Sequence, residues 1–206
     1  MNLLNMRTVY VVLLIFLLVL LLAVSGNAQS KRYIPNRMLM ATPKVSIKTN
    51  LLYDLTTSIN LGLEVKTGQR YSLDVSANYN PWTFSGKKKI KHFFVQPELR
   101  YWFCEPFNEH FIGIHGIYGQ FNVGGISTPK IFKDRRYQGD MYGVGVSYGY
   151  QWYLSPRLNL EASIGIGYIY FDYNTYECKT CGKELASKTK HYFGPTKFGL
   201  TLLYVL

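Results

Sequence analysis

Cys178-Lys179-Thr180-Cys181-Gly182 is the sharpest local motif in this chain. Cys-x-x-Cys-Gly hairpins hold metal through two thiolates, but structural zinc takes four ligands. The sequence has no second cysteine pair; His191 would be a third ligand, and a fourth would have to come from another chain. In an exported, exposed loop the surroundings are oxidising. A disulfide between Cys178 and Cys181 is therefore the expected state, with free thiols and a metal pair as the alternatives. Cys104 is left over in a short turn, and a buried or inert thiol is expected there. His92, His110, His115 and His191 are the candidates for general acid–base work, each needing a serine or carboxylate beside it. No His-x-Ser pairing and no strained serine elbow of the Gly-x-Ser-x-Gly kind is expected to supply one.

A second set of candidates depends on which way the backbone points them. Lys48, Glu64, Lys66, Asp74, Glu98, Arg100, Glu161 and Lys197 fall on the polar side of an alternating pattern. If that side is enclosed, these charges must pair. The result would be either a proton or ion path or a salt-bridged plug, and the plug suits a narrow interior.

The elements that would position them are strands. Aromatic residues make up 16% of the 206 residues, with 18 Tyr and 18 Gly, and charged residues only 17%, below the roughly 25% usual for a soluble domain. Tyr and Gly suit strands and turns better than helices. Period-two alternation starts at Val45 and persists to Leu206. It predicts strands at Val45–Tyr53, Ile59–Lys66, Tyr71–Tyr79, Val95–Phe103, Phe111–Phe121 (facing ambiguous), Tyr142–Trp152, Leu160–Tyr168 and Lys197–Leu206. Tight connections at 67–70, 105–106 and 154–157 alternate with long segments at 82–90, 122–137 and 172–190. Only the hairpin near Leu55-Thr56-Thr57 breaks that pattern.

Ahead of the strands, Arg7 precedes an apolar run from Val9 to Val24 and the small residues Gly26-x-Ala28. This is the layout of a secretory signal peptide cut after Ala28; an uncleaved membrane anchor is the alternative, but the run is shorter than the ~20 residues a spanning helix usually needs. The division is then 1–28 signal peptide, 29–44 flexible basic lead-in (Lys31, Arg32, Arg37, Lys44) and 45–206 a single β-domain. Removing Arg7 with the signal takes the formal charge from +11 to +10. No later run is long enough to cross a membrane as a helix, so a membrane form must be a closed barrel.

Two features decide the facing. The polar side is crowded with Gly and Ser, and an eight-stranded ring is just wide enough to be filled by side chains, so the small residues belong inside. The bulky side sorts by height. Tyr53, Tyr79, Tyr142, Tyr168 and Tyr170 collect at one end, with Tyr71, Tyr101, Phe103, Tyr150, Trp152 and Tyr204 at the other, and aliphatics such as Leu61, Val75, Val146 and Ile164 lie between them. Two aromatic belts around an aliphatic band match the two interfaces of a bilayer. The expected fold is an all-β, eight-stranded antiparallel up-and-down transmembrane β-barrel.

The last segment, Lys197-Phe198-Gly199-Leu200-Thr201-Leu202-Leu203-Tyr204, resembles the assembly signal of outer-membrane barrels, with the match on Lys197, Gly199, Leu202 and Tyr204; the chain ends on Leu206 where Phe is commoner. Lys48-Thr49-Asn50-Leu51-Leu52-Tyr53-Asp54 and Gln96-Pro97-Glu98-Leu99-Arg100-Tyr101-Trp102 resemble segments of a family of uncharacterised small outer-membrane barrel proteins, a domain of unknown function. The likeness covers nearly all of the chain after the signal. It implies a fold and a place, the cell outer membrane, and supplies no catalytic residue and no cofactor.

The expected role is therefore structural, adhesive or partner-binding through long surface loops, without catalysis. Outer-membrane lipid and the barrel assembly machinery are the expected partners. Lys87, Lys88, Lys89, Lys91, Lys130, Lys133, Arg135, Arg136, Lys183, Lys188 and Lys190 make the loops basic. Export argues against nucleic acid; an anionic glycolipid or surface protein fits better, with a merely solvated basic loop as the alternative. A lipid-modifying barrel enzyme and a soluble periplasmic ligand-binding barrel are the alternatives.

Overall fold

The computed structural model describes residues 44–84, 88–125, 135–177 and 184–206. The signal peptide, most of the lead-in and the Cys178–Cys181 pair lie outside these residues. The alternating pattern folds as β1 (Val45–Asn50), β2 (Ile59–Lys66), β3 (Tyr71–Asn80), a two-residue β4 (Thr83–Phe84), β5 (Lys88–Trp102), β6 (Glu109–Gly124), β7 (Arg136–Ser155), β8 (Leu158–Tyr176) and β9 (Glu184–Val205). Leaving β4 aside, eight strands each run antiparallel to the next, and β9 returns to pair with β1. The sheet is an up-and-down ring whose closure leaves few open edges. We call the end carrying the β2–β3, β5–β6 and β7–β8 turns the lower end.

The structure corrects the expected elements in two ways. The first strand does not run to Tyr53. It stops at Asn50, and Leu51–Leu55 form a one-turn helix, α1. Asn50 makes the break: its side chain accepts from Leu52 N at 3.1 Å, and its own N–H donates to Asn60 Oδ1 at 2.7 Å, which caps the helix start. Thr57 then takes a φ of 61° to turn the chain into β2. In consequence Tyr53 leaves the outer belt and packs its ring edge-on against Phe94, with centroids 5.7 Å apart.

The other correction concerns the long connections, much of which are strand. β7 and β8 stay paired up to Arg136↔Tyr176, and β8 and β9 up to Tyr176↔Glu184. The ring is thus much taller on its β6–β9 side than at β1 and β2.

Apart from Leu51–Tyr53, facing follows the expectation along the predicted strands and resolves the ambiguous one. Phe111, Gly113, His115 and Ile117 of β6 point inward, while Ile112, Ile114 and Tyr118 point outward. Val146, Val144, Ile164 and Leu61 stand on the outer face, and Ile114 there is 68% exposed. Among the described residues, buried polar or charged side chains outnumber buried apolar ones by roughly threefold, the reverse of a water-soluble core.

Candidate functional site

The interior is built in layers. At the lower end Trp102, Phe107, Phe111, Leu203 and Val205 are buried. Phe107 takes a φ of 69° in the β5–β6 turn, a rarely populated region for such a residue, and its ring lies 6.2 Å from that of Trp102. Trp102 Nε1 donates to Ser72 Oγ at 2.8 Å, so the indole is both packed and satisfied.

Above this apolar base sits a charged layer organised on Arg100, which is 1% exposed. Its guanidinium donates to Glu98 at 2.9 Å, Glu64 at 3.0 Å, Asp74 at 2.9 Å and both oxygens of Glu161 at 2.8 and 3.0 Å. All five donors of the planar fork are used. Beneath it, the Phe111 ring lies 4.2 Å from the guanidinium carbon, a cation–π contact. Lys48 pairs with Glu64, with Glu161 at 3.3 Å and with Asp74 at 3.4 Å, and Lys197 pairs with Glu98. Ser72 donates to Glu64 and Ser147 to Glu98.

Three cations therefore share four carboxylates contributed by β1, β2, β3, β5, β8 and β9. The strands supply the room as well. A Cβ on Gly113 would come within 2.5 Å of Glu98 Oε1, so glycine there is what lets the carboxylate lie flat against β6. The free space within this layer is only about 30 Å³.

Above the charges, Tyr53 and Phe94 cross the interior, and His92 stacks on Phe94 at 5.6 Å. His115 Nε2 meets Thr196 Oγ1 at 2.9 Å, and Thr196 is the extra residue of a bulge in β9, where the pairing shifts from Gly165↔Lys197 to Ile166↔Pro195.

Seven of the eight charges expected to point inward meet in this layer. Lys66, on the same face, lies at the end of β2 and is only partly buried. The histidines do not converge. His92 and His115 are inside at different levels. His110 is on the lower outer face, with Nδ1 at 2.6 Å from Tyr148 Oη, and His191 lies on the upper outer face against Tyr168. Gly145-Val146-Ser147-Tyr148-Gly149 has the letters of a nucleophile elbow, a match that sequence reasoning missed. It lies mid-β7 and not at the strand-to-helix turn an elbow needs, and Ser147 is engaged by Glu98.

Of the four residues in the segment resembling an assembly signal, Lys197 and Gly199 face the interior. Leu202 and Tyr204 face outward, and Tyr204 Oη accepts from Arg157 at 3.2 Å. Cys104 is exposed and not buried. Its Sγ lies 3.5 Å from Glu109 Oε2, and that hydrogen bond to a carboxylate pushes the thiol up from its ordinary range. Because the thiolate is the nucleophile, Cys104 of the folded protein is expected to alkylate slowly near neutral pH. Glu109→Gln should speed it, as iodoacetamide kinetics would read; an equal rate in the two proteins would remove the carboxylate from the explanation.

No curated protein and no solved structure matches this chain. The model of a family described as a protein of unknown function (DUF3575) matches residues 13–206, nearly the whole length, and the chain belongs to that family.

Proposed function

We propose that this protein is an integral outer-membrane β-barrel with a closed, salt-bridged interior, acting as a binding or adhesive surface through its tall upper end. The observation that carries this reading is the inverted distribution of polarity: charges inside, large aliphatic and aromatic side chains outside. Water penalises such an exterior, whereas a bilayer requires it.

The outer face also ends where a bilayer would. Tyr142 and Trp152 stand ten residues apart on β7. At about 3.3 Å per residue and a tilt of about 40°, they are separated by about 25 Å along the barrel axis, the height of the usual apolar band. Beyond the row Tyr118↔Tyr142↔Tyr170, the next outward row is Gln120↔Asp140↔Asp172. Above that boundary Lys188 and Lys190 are exposed, which favours an anionic partner such as a glycolipid or an acidic protein surface.

Fractionation of cells making the full chain is the first test. The protein should be recovered with outer membranes and migrate differently on unheated and heated gels. Recovery in the soluble periplasmic fraction would sink the proposal. In planar bilayers the packed charged layer predicts no sustained single-channel steps, and large steady conductance would contradict a closed interior. Cross-linking in intact cells should then capture a surface partner, and replacing Lys188 and Lys190 by Glu should weaken capture.

A further inference from the structure

The ring is not closed evenly. β1 pairs with β9 only from Ser46↔Val205 to Asn50↔Thr201, while β9 continues upward beside β8 to Glu184. Above Asn50 no described strand joins β9 on its β1 side, and α1 stands in the opening. The side chain of Asn50 finishes the ladder: its Nδ2 donates to Phe198 O at 3.1 Å and its Oδ1 accepts from Leu200 N at 3.3 Å. Next along this edge come the bulge at Thr196 and Pro195, which has no N–H. Both features oppose addition of a further strand.

Between α1 and this edge lies a cavity of about 490 Å³, within the range of sites for small organic ligands. Its walls differ from side to side. Leu52, Pro195 and Phe198 line it and are themselves exposed on the outer surface. Ser58, Asn80 and His92 line it from the interior. Asn80 is already committed to Ser58 at 3.0 Å, but His92 Nε2 is buried without a partner. The His92 ring lines the cavity, and a buried ring nitrogen left unpaired beside it is costly. Leu55 of α1, Ile59 of β2 and Phe193 of β9, the last 74% exposed, are large exposed apolar side chains on the neighbouring elements.

We infer that this cleft is a lateral binding site for a single-chain membrane amphiphile. The acyl chain lies against Leu52, Pro195 and Phe198, and the polar head turns inward to hydrogen-bond His92. The inference rests on the membrane reading above, because the apolar half of the cleft faces bilayer only if the outer surface does.

The test uses the full mature chain refolded into phosphatidylcholine vesicles, with stearic acid spin-labelled near its methyl end as the probe. The spectrum should contain a motionally restricted component that saturates at one label per protein and is displaced by unlabelled stearate. Thr56→Trp, which changes an exposed residue lining the cleft and fills it, should abolish that component. His92→Leu should weaken it by roughly three- to tenfold through loss of one hydrogen bond to the head. A heat-shifted gel band establishes that each variant is folded. A folded wild type whose label is non-saturable, or is restricted equally in Thr56→Trp, shows ordinary boundary lipid and overturns the inference alone. A wild type that never inserts into vesicles overturns the membrane reading, and this inference with it.

Discussion

Arg100→Leu should cost at least about 3–5 kcal/mol of folding free energy, the penalty for removing one partner of a buried ion pair, and folding into vesicles is expected to fail at urea concentrations the wild type tolerates. The loss is not that of one contact. Arg100 is shared among Glu64, Asp74, Glu98 and Glu161, so its removal leaves four enclosed carboxylates facing only Lys48 and Lys197. Glu161→Gln gives the contrast. It takes one charge from the side that is in excess, leaving three anions to three cations, and keeps an acceptor for the guanidinium. Its cost should be markedly smaller, and adding Glu161→Gln and Glu64→Gln to Arg100→Leu should restore part of the stability. Urea-dependent folding followed by the heat-shifted band measures all of these. Equal costs for Arg100→Leu and Glu161→Gln would mean that packing, and not charge balance, sets the stability of this layer.

On the proposed membrane reading, Val146→Lys should destabilise by about 2–4 kcal/mol, the cost of a lysine on a lipid face near the bilayer midplane. Val146 is 55% exposed on the outer face of β7, so in water the same change would be close to neutral. Tyr142→Lys, four residues nearer the boundary, removes a larger side chain yet should cost much less, because the penalty falls towards zero at the interface. Val146→Leu and Ser147→Ala should both be mild. If Val146→Lys and Tyr142→Lys are tolerated alike, the outer face is not in hydrocarbon at that depth, and the belts have another explanation.

The alternation that predicted these facings was legible because a strand needs only a period of two. It placed Glu64, Asp74, Glu98, Arg100, Glu161, Lys48 and Lys197 on one side, and the fold brings them together. Which acid meets which base was not legible, since that depends on the stagger between strands and not on facing. Helix α1 was hidden for a different reason. Leu51 and Tyr53 continue the alternation of β1, and the break comes from the Asn50 side chain satisfying backbone groups that a pattern does not show. The upper strands looked like loops because their polarity inverts with height: on β7 Val144 and Tyr142 face out, but above them Asp140 and Gln138 do, with Met141 and Tyr137 turned inward. The bulge at Thr196 is signalled only by the adjoining Gly194-Pro195, and without it His115 would lack its hydroxyl partner.

The uneven closure also bears on where the ring is most weakly fastened. β8 and β9 share a long ladder, whereas β1 is a short wedge between β2 and β9. Little backbone bonding holds the wedge, and its one buried charge, Lys48, reaches acids on β2, β3 and β8. Lys48 is therefore a latch that ties this short strand across the interior to β2, β3 and β8. Amides of Val45–Asn50 should exchange hydrogen well before those of Leu160–Ile169, and Lys48→Met should widen that gap; uniform exchange around the ring would rule out a latch. A ring fastened in this way opens first at its shortest strand, beside the same helix that interrupts its wall.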